Sequence, residues 1–585
     1  MNTKIFRSPD SNYYNDDISS ALEVYNEDYL SKLYDNGFNA IWLRAILRDI
    51  ASTTIFPELG RNSHKDQEIL KKIIHRCAEF NIKVYLYFNE PLTFPAQHQF
   101  WENHPNLRGT PGSSPADHWK TTWALCTSHK PVLDFLYQGM NNLFTNCPGL
   151  GGVFLITRSE HHTNCYSHHN VPTCPLCSKR NMADVISEVI NSIASGIYAA
   201  SNNAEVIAWN WEWPADIESE IVSKINRRVI IMGDFERGGY KFIAGKERLI
   251  NEYALSYVGP SNKFSVLCDE CLKKGIRVYA KLQIGTTHEL ATVRNLPLIP
   301  NLLRKLKWLK NHNIQGALCC WNFGNQFSLN TYAFKKLLEY DLNQDEELIL
   351  SNIASEYFGE AIDTVKVLMA WRIFVEAFEH YPFCVSFLYK GPINYVLRYP
   401  FPQPESTVIS MQKSWLPLEV LGTKLKEAVN LWQGEDMSCE ATEGQFDLQT
   451  MTHCLKILTE RFDSGLLVYD LALSGNDGSN AVAELKNAKI IGAILKSVYY
   501  TFAAYQFCDA DKFETNEWLR FAAAECHNLQ KTLPLLINEK EIGFHSEAQD
   551  WFFTEKTVRE KLNELKKLIS HYKNSDNKYE SITIR

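Results

Sequence analysis

The 585-residue chain has no block of clustered lysine and arginine, and its net charge is −8. Phosphate backbones are bound through such clusters, so no nucleic-acid partner is expected. No run reaches the roughly 18 apolar residues of a membrane-spanning helix, so no membrane partner is expected either. The opening stretch, MNTKIFRSPDSNYYNDD, lacks the apolar segment of a secretory leader. The 15 cysteines are scattered along the chain. Without a leader they are expected to be reduced thiols in a cytoplasmic protein. No GxGxxG follows any strand-like run, which counts against a doubly wound dinucleotide-binding sheet. No organic cofactor is expected. Internal repeats and low-complexity tracts are missing as well.

Hydrophobic residues make up 45% of the chain and charged residues 22%, the composition of a soluble globular protein. The length predicts two or three domains. Aromatics are plentiful, with 14 Trp and 27 Tyr. Their flat faces, each with one polar atom, suit sugar rings, and equally suit core packing.

From about residue 20 to 330 short β-rich runs alternate with amphipathic helical stretches. The runs are FNAIWLRAI (38–46), IKVYLYFNE (82–90), GGVFLITRSE (151–160), AEVIAWNWEW (204–213), RRVIIMGDFE (227–236), NEYALSYVG (251–259), IRVYAKLQIG (276–285) and IQGALCCWNFG (314–324). Helices are expected at 65–81, 181–201 and 298–313. Near-continuous apolar strands separated by helices mean a parallel sheet covered by helices. Eight runs in this length predict a (β/α)8 TIM barrel over 1–335, with a doubly wound open sheet as the alternative. Beyond 335 a 3.6-residue period predicts helices at 345–380, 418–434, 447–475, 481–508, 512–534 and 546–572. Residues 336–585 therefore read as an α-helical C-terminal domain. A Pro- and aromatic-rich loop (381–406) interrupts it, and a frayed end is expected from 574 on.

The runs end in polar or aromatic residues: Arg44, Asn89-Glu90, Ser159-Glu160, Trp209 to Trp213, Asp234 to Arg237, Gln283 and Trp321-Asn322. Strand C-termini are where a barrel builds its active site. An acid held there and partly desolvated can serve as a general acid. Glu160 is the leading candidate. Glycosidic cleavage needs a second group as well, and Glu90, Glu212, Asp234, Glu236, Glu252 and Glu289 all stand at or near strand ends. Trp209, Trp211, Trp213 and Trp321 could stack on a sugar face. If the WNWEW run is extended, its tryptophans share one face.

Just past Glu160, Cys165, His168, Cys174 and Cys177 form C-x2-H-x5-C-x2-C. Four such ligands suit tetrahedral Zn2+. His169 could stand in for His168. A set completed by protein ligands leaves no open position, so the metal is expected to be structural and to pin the loop at 161–180.

Several motifs resemble the barrel glycosidases around glycoside hydrolase family 20, the β-N-acetylhexosaminidases, and more closely a family-20-like group of bacterial proteins. These are YLSKLYDNGFNAIWLRAILRDI (29–50), VYLYFNEP (84–91), ALCTS (124–128), ITRSEHHTNCYSH (156–168), CPLCSKR (174–180), ERGG (236–239), EYALSYVGP (252–260) and KLQIGTTHE (281–289). The resemblance implies a hydrolase that removes a terminal β-linked N-acetylhexosamine from a glycan, with Glu160 as acid/base. Family 20 pairs that glutamate with a preceding aspartate, which orients the 2-acetamido group of the substrate. Here Ser159 stands in that place. A serine can hydrogen-bond an amide but cannot stabilise a positive oxazolinium ion. Either another carboxylate, with Glu236 first in line, takes the part of the aspartate, or a direct nucleophile or inverting base acts instead. Arg44, Glu90, Ser159, Asn164, Trp209, Trp211, Arg237, Glu252, Gln283, Glu289 and Trp321 are the expected substrate contacts. Other readings stay open. They are a glycosidase for a uronic acid (served by Arg44, Arg158 or Arg237) or a neutral hexose, a non-catalytic carbohydrate-binding barrel, a metallohydrolase, and a homo-oligomer of any of these.

Overall fold

The computed structural model describes residues 1–12, 16–113, 120–384, 387–388, 392–404, 446–508 and 512–580. Eight parallel strands close a barrel, each beside its neighbour in sequence. They are β1 (Thr3–Ile5), β2 (Ala40–Arg44), β3 (Lys83–Phe88), β4 (Gly152–Ile156), β5 (Glu205–Trp209), β6 (Ile230–Asp234), β7 (Val278–Leu282) and β8 (Gly316–Cys319). Helices between them include Ser63–Glu79, Met182–Ala200 and Ile299–Asn311, within two residues of their expected bounds. The helix at Met182 begins on Asn181, whose side chain accepts the Ala183 amide.

Seven strands lie where the apolar runs predict them, and the eighth does not. The 251–259 run contributes no barrel strand; only the hairpin Gly239–Ile243 and Lys246–Ile250 precedes it. Its place is taken by β1, three residues long, which pairs with β8 through Thr3–Gly316, Lys4–Ala317 and Ile5–Leu318. Three residues carry too little periodicity to announce a strand. The 251–259 segment is apolar because it is buried, not because it is paired. The Leu255 and Ser256 amides donate to the Glu289 carboxylate, and Lys305 Nζ donates to the Ala254 carbonyl.

Alternation along the strands sends every second side chain into the barrel. At its lower end Tyr85 (β3) and Tyr279 (β7) both donate their hydroxyls to Glu205 (β5), at 2.8 and 2.9 Å, and Tyr279 also reaches Thr3 (β1). Above this polar layer lies an aromatic one. Trp42 (β2) stacks on Trp321 at 4.8 Å and meets Phe154 (β4) edge-on, while Tyr87 (β3) stacks on Phe154 at 4.9 Å. Trp209 (β5) packs edge-on against Trp321 at 5.5 Å. Arg7, just past β1, lies 3.9 Å above the Trp42 ring and pairs with buried Asp17 at 2.8 Å.

Two compact units are present. The barrel unit holds Met1–Phe235, Ser261–Leu282 and Leu309–Trp321, and therefore all eight strands. The second unit holds Glu236–Pro260, Gln283–Trp308 and Asn322–Arg585. Segments 236–260 and 283–308, which the sequence partition at 335 gave to the barrel, group instead with the C-terminal helices. Those helices are Glu346–Phe358, Thr364–Phe378, Leu448–Leu473, Ser479–Tyr505, Thr515–Leu536 and Glu555–Glu580. The single helix expected at 345–380 is two, because Gly359 (φ +100°) ends the first and Asp363 caps the second. A short hairpin, Phe544–His545 with Asp550–Trp551, occupies the start of the expected 546–572 helix. The last helix runs on to Glu580, past the point where fraying was expected. The expected helix at 418–434 and part of the 381–406 loop lie outside the described residues. No helix among the described residues is long and apolar enough to cross a membrane.

The lower polar layer depends on Gly316. A Cβ there would lie 2.4 Å from the Tyr279 ring, which three hydrogen bonds hold in place. Gly316→Ala is expected to cost about 1–3 kcal/mol by overpacking. Thermal unfolding checks this, and an unchanged midpoint would contradict it.

Candidate active site

In the barrel unit, β4 ends at Ile156 and the chain turns at once into a loop built on its own polar side chains. Thr163 Oγ1 and Asn164 Nδ2 both donate to the Thr157 carbonyl, and Asn164 Oδ1 accepts the Tyr166 amide. Asn164, expected to touch substrate, is fully buried and acts as scaffold for the loop. Ser159 Oγ accepts the His161 amide and faces Asn89 Nδ2 at 3.5 Å. The Ser159 side chain therefore closes the turn that presents Glu160.

Glu160 keeps 20% of its side chain exposed, and one oxygen lies 3.5 Å from His161 Nε2. His161 is 2% exposed. Burial first, then the nearby Arg44 charge and His168, hold its imidazole well below the usual histidine range. The Glu160–His161 contact is thus not an ion pair at neutral pH. Arg44, at the end of β2, is half-buried, and its backbone amide donates to Asp17. Trp211 and Trp321 are partly exposed, and Trp211 packs edge-on against Trp209 at 5.5 Å. These residues give the barrel unit an acid, a cation and aromatic faces at the C-terminal ends of its strands.

The WNWEW run is extended only as far as Trp209. Trp213 turns away from the expected shared face. It is buried and donates from Nε1 to Thr157 Oγ1 at 3.0 Å, tying the loop after β5 to the loop after β4. Asp234, the last residue of β6, shares the inward register of Met232 and pairs in the ladder with Lys281 of β7. Glu212 is partly exposed and lies near Arg158.

Glu90 is not placed to meet a substrate. Its two oxygens accept the Leu47 and Leu92 amides at 2.7 and 2.9 Å, and 3% of it is exposed. Burial outweighs those hydrogen bonds and pushes its carboxyl up to about 7.

Glu236, Arg237, Glu252, Gln283 and Glu289 belong to the second unit. Glu236 has no exposed surface. It pairs with Lys305, itself fully buried, and accepts the Gln283 amide at 3.1 Å. This is a structural ion pair, and a carboxylate so committed is a poor nucleophile or base. Lys305, its partner, sits within a helix and nothing in the sequence marks it. Gln283 Nε2 donates to the carbonyls of Thr286 and Phe323. Glu289 accepts the Leu255 and Ser256 amides and the Thr287 and Ser256 hydroxyls. Glu252 is buried and accepts the Tyr253 amide. These three hold loops together. Arg237 is half-buried.

The side chains brought together differ from the expected metal set in one residue. The sulfurs of Cys126, Cys165, Cys174 and Cys177 lie within 4.8 Å of one another, and all four residues are buried. His168 is not among them: its Nε2 meets the Glu160 carbonyl at 3.0 Å and its ring stacks on His162. His169 Nε2 meets the Pro111 carbonyl at 3.1 Å. Cys126 lies far upstream, at the end of the hairpin strand Thr121–Leu125, and spacing alone gives no hint of it. The hairpin partner, Arg108–Ser113, passes the cluster at Gly109, where a Cβ would stand 2.4 Å from Cys165 Sγ.

Two predictions separate scaffold from chemistry. Glu236→Gln leaves the buried Lys305 cation without its counter-ion and should cost about 3–5 kcal/mol in a chemical unfolding series. For Glu90 the folded carboxyl titrates near 7, above its ordinary 4.5. The stability it contributes is full below about pH 4.5 and is lost as pH rises to about 7, up to about 3 kcal/mol. Glu90→Gln should flatten that part of a plot of melting temperature against pH; an unchanged slope would refute the assignment.

No protein-family model matches the chain, and no curated protein matches it. Solved structures do. A glycoside hydrolase of family 138, targeting pectin rhamnogalacturonan II, aligns with a TM-score of 0.54 at 10% identity, over 98% of this chain and 66% of that one. A family 89 glycoside hydrolase from Clostridium perfringens, in complex with 2-acetamido-1,2-dideoxynojirmycin, aligns with a TM-score of 0.52 at 9% identity, over 98% and 63%. The same enzyme in complex with its substrate GlcNAc-alpha-1,4-galactose gives 0.52 at 10% identity, over 96% and 58%. This chain thus spans about two-thirds or less of their length. These are families 138 and 89, not family 20. What the chain shares with them is the fold, an eight-stranded parallel barrel followed by a helical region.

Proposed function

We propose that the protein is a glycoside hydrolase in which Glu160 is the general acid/base and Asp234 the second carboxylate, acting on a terminal β-linked N-acetylhexosamine. One observation carries the reading. Glu160 stands at the C-terminal end of β4 with a partly exposed carboxyl, beside an uncharged imidazole, in a unit whose strand ends also present partly exposed tryptophans. In this scheme Glu160 gives its proton to the glycosidic oxygen as the bond to the anomeric carbon breaks. Asp234 faces the positive charge that develops there, either bonding to the carbon or taking a proton from the attacking water. In the first case water then displaces Asp234 from the carbon and gives its proton to Glu160; in the second Asp234 holds that proton, and Asp234 and Glu160 return to their starting states by proton exchange with solvent. Trp211 and Trp321 are the faces on which the sugar stacks. The shared fold with glycoside hydrolases supports this reading, and so do the motifs around Glu160.

A uronic acid in place of the N-acetylhexosamine is the second reading. Arg158, two residues before Glu160, and Arg44, whose charge acts on the neighbouring His161, are both half-buried and favour it. A panel of aryl α- and β-glycosides of N-acetylglucosamine, N-acetylgalactosamine and galacturonic acid identifies the substrate. On the best of them, Glu160→Gln and Asp234→Asn are each expected to lower kcat about 10²–10⁴-fold with an unchanged circular-dichroism spectrum. Full activity in Glu160→Gln would overturn the reading. Sugar binding without turnover in the wild type would mark a non-catalytic barrel instead.

A further inference from the structure

We infer that Cys126, Cys165, Cys174 and Cys177 hold one Zn2+ ion in a closed tetrahedral site that fastens the loop carrying Glu160 to the hairpin before it. The inference rests on the cysteine geometry and is independent of the glycosidase reading. A tetrahedron of sulfurs about 2.3 Å from its centre has edges of about 3.8 Å. Here Cys126 Sγ lies 3.5 Å from Cys174 Sγ and 3.6 Å from Cys177 Sγ, and all four sulfurs fall within 4.8 Å. None is paired in a disulfide, although all are buried.

Thiol–thiol hydrogen bonds are weak, so the bare cluster would be a poor use of four buried polar groups. One side-chain donor already reaches a sulfur, and further hydrogen bonds hold the backbone that carries the cysteines. Ser128 Oγ lies 3.1 Å from Cys177 Sγ, and Arg180 donates to that same hydroxyl at 3.0 Å. The same guanidinium pairs with Glu188, so its charge is shared between that carboxylate and the cluster. Thr110 Oγ1 accepts the Cys174 amide, and Tyr166 Oη donates to the Cys177 carbonyl. Gly109 keeps the adjacent strand free of a side chain that would strike Cys165 Sγ.

The ligands come from two stretches far apart in sequence. Cys126 follows the hairpin, while the other three lie in the loop between β4 and the helix at Met182. One ion bonded to both closes a long loop that has little regular structure of its own. The centre has no vacant position and so performs no hydrolysis itself.

The test measures metal in the full-length protein, purified without chelator and reconstituted with zinc under reducing conditions. Inductively coupled plasma mass spectrometry should give about one zinc per chain. Cys126→Ser and Cys174→Ser should each lose it, and His168→Ala should keep it. If the serine variants aggregate, the cobalt-substituted wild type still decides: the intense visible bands of tetrahedral cobalt thiolate are expected. Chelation should open the 161–180 segment to trypsin at Lys179 and Arg180. A chain that binds no zinc after reconstitution, or disulfides mapped among these cysteines in protein kept reduced, would overturn the inference. Zinc lost in His168→Ala and kept in Cys126→Ser would overturn the four-cysteine set.

Discussion

An eight-stranded parallel barrel has to fill its own interior with side chains, and most of what this protein presents to solvent at the strand ends follows from how it does so. The lower filling is polar: Tyr85, Tyr279 and Arg277 converge on Glu205, and Tyr279 also reaches Thr3. The layer above is aromatic, with Trp42, Tyr87, Phe154, Trp209 and Trp321 in mutual stacked and edge-on contact. Rings of this size close the interior while leaving edges of Trp321 and Trp211 uncovered at the top. Groups that need water or a ligand are thereby confined to the strand C-termini. Arg44, Glu160 and Asp234 all lie there.

Charges obey a second constraint, the cost of leaving an ion unpaired away from water. Each unit carries buried pairs: Arg7 with Asp17 in the barrel, and Lys305 with Glu236 and Lys561 with Glu525 in the helical unit. In every case further hydrogen bonds reach the pair, from the Arg44 amide, the Gln283 amide and the Ser497 hydroxyl. Carboxylates held in this way are fixed in charge and position. A group that must take up and release a proton each cycle needs some contact with solvent. Partial exposure beside a neutral histidine sets Glu160 apart from Glu90, Glu236 and Glu289, which look equally promising as letters.

The same distinction explains what the sequence could and could not reveal. Seven barrel strands are plain in it because parallel strands buried on both faces are continuous apolar runs. The 251–259 run is just as apolar, but its backbone bonds go to Glu289 and Lys305 rather than to a neighbouring strand, and composition does not record where amides point. Strand β1 is invisible for the converse reason, since three residues suffice when both neighbours are already in place. The C-x2-C pair and Cys165 announce themselves by spacing. Cys126 does not, because its proximity is made by the hairpin fold, and the nearer His168 took its place in the sequence reading. The place of Glu160 just past a strand follows from its position after an apolar run. That Glu236 is scaffold depended on Lys305, which only the folded chain brings to it.

Ser159 shows how these constraints bear on mechanism. In the hexosaminidase pattern the residue before the acid is an aspartate that handles the acetamide of the substrate. Here the hydroxyl at that position accepts the His161 amide and lies against Asn89, with 5% of the residue exposed. It is spent on the backbone turn that holds Glu160 outward. An aspartate there would put a carboxylate where the turn now has a hydroxyl that accepts the His161 amide. The loop conformation and the absence of aspartate are thus one feature. A glycosidase built on this turn has to draw its second carboxylate from another strand, and β6 ends in one that shares the inward face of Met232.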